Sequence, residues 1–191
     1  LLLLSFLQGR LETPFTPETC AKSLRYSAMS MSRTFDELES SGLAETARSG
    51  RYRILDFREG REAVWAKALA LALLSTPMKR RIFAMMPHRQ VSGLVVGGLT
   101  ALARFSALAA PAIDVFAVDG RKWKELSSRK GITEIPHPDD DCFEVEIWKY
   151  PPELLAVNET VDHLSLYLSL RDTDDERVEA ALEEMMEGLA W

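Results

Sequence analysis

The sequence predicts an α+β fold, and three observations carry the prediction. The first 58 residues give two short helix signals followed by a hairpin signal; Ile113–Val118 and Phe143–Ile147 read as strands; the chain closes on an amphipathic helix. Composition agrees. Of 191 residues, 47 % are hydrophobic and 27 % charged, the balance of an ordinary globular chain, which excludes disordered, collagen-like and disulfide-scaffold classes. Two cysteines, Cys20 and Cys142, stand 122 positions apart without a CxxC pair. Neither a disulfide framework nor a cysteine zinc site is signalled, and a reducing cytoplasm is the expected compartment.

Taken in order, Leu1–Leu7 is an apolar run broken by Gln8-Gly9-Arg10, far short of the ~20 residues a membrane span needs. It reads as a first core helix, with a signal-peptide remnant as the alternative. No initiator methionine opens the numbering, so residues upstream of Leu1 are expected. Thr16-Pro17-Glu18 is a helix start, with a Thr cap, Pro in the first turn and an acid beside it. That helix ends by Arg25-Tyr26-Ser27, and Ser27 caps a second helix running to about Ser41, where Gly42 supplies the stop. Met31, Phe35 and Leu38 share its core face. The opposite face carries Met29, Arg33, Asp36 and Ser40, flanked by Ser30 and Ser32, and its N-terminal half holds no acid.

Ala44–Ala47 and Arg51–Leu55 then read as short strands around Arg48-Ser49-Gly50, with Arg48, Arg51 and Arg53 at or near the tip. Helix, turn, helix and basic hairpin is the order of a winged helix-turn-helix, whose chemistry suits double-stranded DNA. Ala28, Met29, Ser30, Ser32 and Arg33, at the front of the second helix, are the candidates for major-groove base edges; Arg48, Arg51 and Arg53 are the candidates for phosphate or the minor groove. The run from Ala21 to Leu43 resembles the helix-turn-helix of MarR-type winged-helix regulators. In those proteins a Ser/Thr-rich turn leads into a recognition helix ending in Leu-x-x-x-Gly-Leu, present here as Leu38 to Leu43. The resemblance spans roughly residues 1 to 58 and implies a sequence-specific DNA-binding transcriptional regulator, expected to be a repressor.

Arg61 to Leu74 is rich in Ala and Leu and reads as a helix connecting two domains, within a segment 59–77 that Ser75-Thr76-Pro77 closes. The cations from Lys79 to Arg89 read as a linker that either extends a phosphate-contacting surface or pairs with the acidic C-terminus. Residues 78–191 are expected to form a smaller mixed α+β domain with C-terminal amphipathic helices. Its elements are an apolar segment from Val91, a Gly97-Gly98 turn, a helix Leu99–Leu108, a strand Ile113–Val118, a short helix Trp123–Arg129, a loop Pro136–Asp141, a strand Phe143–Ile147, and two helices after Pro151-Pro152. The last helix places Val178, Ala181, Leu182, Met185, Met186 and Leu189 on one face.

The net charge of −6 hides an asymmetry. Residues 1–133 hold 20 Lys and Arg against 12 Asp and Glu, or +8; residues 134–191 hold 3 against 17, or −14. A basic portion facing a polyanion and an acidic portion kept away from it fit this division, as do solvated faces of differing sign.

Gly97-Gly98 lacks GxGxxG and GxxxxGK[ST], so a tight turn or helix cap accounts for it better than a phosphate cradle. Carboxylates at Asp114, Glu144 and Glu146 follow it, and strand carboxylates after a glycine turn are how nucleotidyltransferases hold two magnesium ions. Gly97–Ser106 and the following strand resemble the nucleotidyltransferase-like C-terminal domains of abortive-infection type IV antitoxins, winged-helix repressors with an inactive domain of that sort. The active pattern wants Ser after the glycines and a second acid two residues beyond the first; here those positions are Leu99 and Phe116. Neither catalysis nor a cofactor is therefore expected. His88, His137 and His163 share no metal spacing, and Asp139-Asp140-Asp141 points its side chains in divergent directions. Three classes remain: a DNA-binding, antitoxin-like repressor, a protein-interaction module with an inert winged helix, and a degenerate nucleotidyltransferase-like enzyme. Double-stranded DNA is the expected partner, with a homodimer and a protein partner for the C-terminal domain compatible with it, and no membrane.

Overall fold

A computed structural model describes residues 1–11, 14–86, 93–129 and 131–191. The chain is mixed α+β and divides into two compact units, Leu1–Ser75 with Trp191, and the longer Thr76–Ala190. The expected apolar start at Val91, together with His88 and Arg89, lies outside the described residues.

The first unit runs α1 (Leu2–Leu7), α2 (Pro17–Leu24), α3 (Ala28–Ser40), β1 (Glu45–Ser49), β2 (Tyr52–Asp56) and α4 (Arg61–Ala70). Thr16 and Thr19 form a reciprocal capping box at the start of α2, where Pro17 costs no hydrogen bond because that N–H has no partner in a helix anyway. The helix stops at Arg25, which takes the left-handed conformation at φ 59°. Ser27 accepts from the Ser30 N–H at 3.0 Å and so opens α3 at once, leaving a three-residue turn, Arg25-Tyr26-Ser27, between the helices. At its far end the Leu43 N–H reaches the Leu38 carbonyl and the Gly42 N–H the Glu39 carbonyl. That pattern requires positive φ at Gly42, observed at +72°.

Phe35, fully buried, anchors α3 in a core shared with Leu24, Met31, Leu38 and Leu55. The helix expected over Arg61–Leu74 ends at Ala70, because Ala72 turns to φ +52° and the Leu73 N–H closes on the Ala68 carbonyl. Val64, Trp65 and Ala68 of α4 are buried, and α4 packs against α1 inside this unit.

The second unit is built on a five-stranded sheet in the order β4-β5-β7-β3-β6. Its elements are β3 (Met78–Met85), β4 (Val95–Val96), α5 (Gly98–Phe105), β5 (Val115–Asp119), α6 (Gly120–Arg129), β6 (Thr133–Ile135), β7 (Cys142–Trp148), α7 (His163–Leu170) and α8 (Glu176–Glu187). Among the described strands of this sheet, β5 and β7 pair in parallel and the other pairs are antiparallel. Alternate residues of the central strand β7 serve two faces. Phe143, Val145 and Ile147 join Trp123, Ala84 and Val118 in one core, whereas Glu146 lies against the start of α5. The expected basic linker is thus corrected: Lys79, Arg80 and Arg81 lie in β3, with a bulge at Lys79. The two C-terminal helices follow the expected pattern, with Val178, Ala181, Leu182 and Met185 of α8 buried and α7 buried on nearly all sides.

Gly97-Gly98 has a packing reason. Gly97 caps α5, and a Cβ on Gly98 would stand 2.6 Å from Val115 Cγ1 and 3.1 Å from Glu146 Oε1, at a backbone φ of +48°. Gly131 also has positive φ (+63°) but faces open space. Gly98→Ala is therefore expected to destabilise the protein by ~1–3 kcal/mol more than Gly131→Ala, the difference being the overpacking against β5. Denaturant unfolding of both variants measures it, and equal losses would refute the close-packing account.

Candidate nucleic-acid interface

The front of α3 is built to project short polar groups and one cation into solvent. Ser27 and Ser30 hydroxyls meet at 2.9 Å, and Thr34 Oγ1 donates to the Ser30 carbonyl at 3.1 Å, so this turn is internally satisfied. Ala28, Met29 and Arg33 are exposed, and Ser30 and Ser32 half-buried. Met29 is 68 % exposed, unusual for an apolar side chain with no covering element, and the Arg33 guanidinium lies 3.9 Å from its sulfur. The structure thus places Ala28, Met29, Ser30, Ser32 and Arg33 on one turn and a half of helix.

The hairpin projects beside them. Its register pairs Glu45 with Asp56 and Ser49 with Tyr52, leaving Gly50-Arg51 as a two-residue turn rather than the Arg48-Ser49-Gly50 loop expected. The shift follows from Gly50, whose φ of +61° supplies the positive value a tight hairpin turn needs. Arg51 therefore stands at the tip. Its Nη2 donates to Tyr52 Oη at 2.8 Å, and its guanidinium lies 5.0 Å from the centre of that exposed ring. Arg48 is exposed on β1 directly opposite Arg53 on β2. Like charges facing each other across a strand pair repel, and here Arg53 is engaged by carboxylates of α3.

Arg53 differs from its neighbours. Its Nη1 donates to Asp36 Oδ1 at 2.6 Å and its Nη2 to Glu39 Oε2 at 3.1 Å, with the guanidinium 5.9 Å from the Phe35 ring. Expected to meet phosphate, its fork is instead committed to two carboxylates of α3. Glu39 also accepts the Thr46 N–H at 3.2 Å and hydroxyl at 2.7 Å, so α3 is bonded to both strands of the hairpin. These Thr46 bonds, with Arg53 beside them, hold the Glu39 carboxyl below its ordinary range. Sequence reading placed Asp36 on the exposed face but missed this clasp, because 17 residues separate it from Arg53 and no local periodicity reports such a pairing. Tyr26 and Tyr52, 43 % and 44 % exposed, were missed too; exposure is not legible from residue type.

In the second unit the strand carboxylates are held by the protein itself. Glu146 is fully buried. Its Oε1 accepts Arg81 Nη2 at 3.2 Å and its Oε2 accepts Trp148 Nε1 at 3.0 Å, while Arg81 Nε reaches Glu144 at 3.2 Å. Asp114 is exposed, ahead of β5 rather than within it. Arg80 approaches Glu134 at 3.6 Å, so two cations of the supposed linker serve carboxylates of neighbouring strands. His137 is exposed in the Pro136–Asp141 loop; His163 is half-buried against Phe105, ring centres 4.1 Å apart, and burial pushes its imidazole down. Among the described residues no group of three His, Cys, Asp or Glu is placed to hold a metal ion. No described helix is long and apolar enough to cross a membrane. No protein-family profile, curated protein or solved structure matches the chain.

Burial is the main cause that pushes the Glu146 carboxyl up, against the pull of Trp148 and Arg81. The folded chain then binds this proton more readily than the unfolded chain does, so the group's contribution to stability falls as pH rises from the ordinary Glu range near ~4.3. Arg81→Met removes the cation that limits this loss. It is expected to cost ~1–3 kcal/mol at pH 7, at the modest end for a buried pair because Arg81 itself is about half-exposed, and progressively less as the pH is lowered toward 4. Thermal unfolding of both proteins across pH 4–8 checks it; a pH-independent difference would show that the charge of Glu146 is not the cause.

Proposed function

We propose that this chain binds double-stranded DNA through a winged helix-turn-helix formed by α2, α3 and the β1–β2 hairpin, and that it acts as a sequence-specific transcriptional repressor. One observation carries the reading. Arg33, Arg48 and Arg51 stand exposed with no described acid within ion-pair distance, whereas the acids of α3 are confined to its second half, where Arg53 engages two of them. A protein surface normally intersperses its charges; unpaired arginines on a helix front and an adjacent hairpin tip fit a duplex, with base edges in the groove and phosphates at its rim.

A protein-binding module with an inert winged helix would be supported by pairing of the early cations with acids of residues 134–191. Arg53 and Arg58 pair instead with Asp36, Glu39, Glu45 and Asp56, inside the first unit. The second unit is read as non-catalytic and antitoxin-like. Leu99 and Phe116 occupy the positions where nucleotidyl transfer needs a hydroxyl and a carboxylate, and Glu146 is closed to solvent. Incubation with nucleoside triphosphates and magnesium is expected to yield no nucleotidylated product; product that disappears on Asp114→Asn would overturn this part.

The DNA reading assigns separate roles. Arg33 reads bases, since a guanidinium can bond a guanine at two points, worth ~1–3 kcal/mol of discrimination. Arg33→Ala is expected to reduce the ratio of specific to scrambled binding by about that amount. Arg48 and Arg51 position the protein on phosphate, so replacing either weakens binding to all duplexes alike and lowers the salt slope by about one. Titration of a selected operator and a scrambled duplex at several salt concentrations separates the roles. Unchanged discrimination in Arg33→Ala, or full low-salt affinity in the hairpin variants, would refute them.

A further inference from the structure

The residue left without a role in that scheme is Arg53. We propose that Arg53 is a positioning residue that masks two carboxylates of α3 from DNA phosphate, an inference that rests on the DNA-binding reading above.

The helix carries three acids, Asp36, Glu37 and Glu39, all in its second half. At ~1.5 Å of rise per residue, Asp36 lies about 4.5 Å along the axis from Arg33. That is well inside the ~8 Å over which charges act at physiological salt. Any phosphate met by the front of α3 therefore also feels Asp36, and unscreened carboxylates there oppose the approach of a duplex. Arg53 answers both acids at once. One fork nitrogen takes Asp36 at 2.6 Å and the other takes Glu39 at 3.1 Å, which changes the local charge from −2 to −1 and ties β2 to α3. With both terminal nitrogens committed and its side chain only 26 % exposed, the guanidinium has no free fork for phosphate. The Thr46 bonds to Glu39 hold β1 to the same carboxylate, so the clasp also fixes where Arg48 and Arg51 stand.

Masking and phosphate contact make opposite predictions for one variant. Arg53→Ala is expected to weaken binding to operator and scrambled duplex alike by roughly tenfold at low salt, since two close carboxylates become unscreened. If Arg53 is a mask, the triple variant Asp36→Asn/Glu39→Gln/Arg53→Ala, which has nothing left to mask, recovers affinity to within a few-fold of wild type and keeps the wild-type salt slope. If Arg53 instead contacts phosphate, the triple variant stays weak and its slope falls by about one. Arg53→Gln, which keeps a polar side chain at this position without the charge, should weaken binding as Arg53→Ala does; it serves as the charge test should the alanine variant unfold in a melting control. Undiminished binding by Arg53→Ala or Arg53→Gln, or failure of the triple variant to recover, overturns the mask. Failure of the wild-type chain to bind any selected duplex overturns the DNA reading itself, so the two outcomes are distinct.

Discussion

A carboxylate removed from water must be partnered, and in the second unit that requirement falls on the central strand. Both faces of β7 are covered, so Glu146 has no route to solvent and depends on Trp148 and Arg81. Arg81 can supply its guanidinium only because β3 runs antiparallel beside β7 with Arg81 directly opposite Glu146, and the bulge at Lys79 sets that register. The start of α5 packs beside this buried acid, although what chiefly keeps a side chain off Gly98 is Val115 of β5, with Glu146 next to it. The first unit repeats the device nearer the surface, with Arg53 between Asp36 and Glu39. In each unit one arginine on a strand serves two carboxylates, and the planar fork is what allows a single cation to do so.

The opposite charges of the two parts of the sequence take on a different meaning once the pairs are known. Arg80 and Arg81 belong by position to the basic stretch, yet they answer Glu134, Glu144 and Glu146, and Lys122 answers Glu153, all within the second unit. Much of the asymmetry is thus sequence order rather than surface field. At the front of α3 and on the hairpin the exposed positive charge is that of Arg33, Arg48 and Arg51; elsewhere in the first unit Arg10, Lys22 and Arg61 are exposed as well.

Local rules were legible and long-range ones were not. Thr16, Pro17, Ser27 and Gly42 define their helix ends through hydrogen bonds that close within a few residues, so the boundaries of α2 and α3 could be read directly. The apolar spacing of Met31, Phe35 and Leu38 gave the buried face of α3 for the same reason. β3 was not legible. Its first half is a run of cations whose stabilising partners are 54 to 65 residues away on β6 and β7, and a strand at Lys79–Arg81 is favoured only by those partners. The role of Arg53 was hidden likewise: its type and its place near a hairpin tip suggested phosphate, and only the fold shows which acids reach it first.

The clasp also bears on how reading and positioning work together. Base discrimination by a side chain requires that the helix carrying it be held at a fixed depth and angle in the groove, and phosphate contacts supply that only if they are rigidly connected to the helix. Here the connection is explicit. The second half of α3 is bonded to β1 through Thr46 and to β2 through Arg53, while the first half leaves Met29 and Arg33 unconstrained by any strand. On the DNA reading proposed above, a helix locked at one end to the hairpin and open at the other would transmit the hairpin's position on the backbone to Arg33, leaving its side chain free to adopt the rotamer that a given base requires.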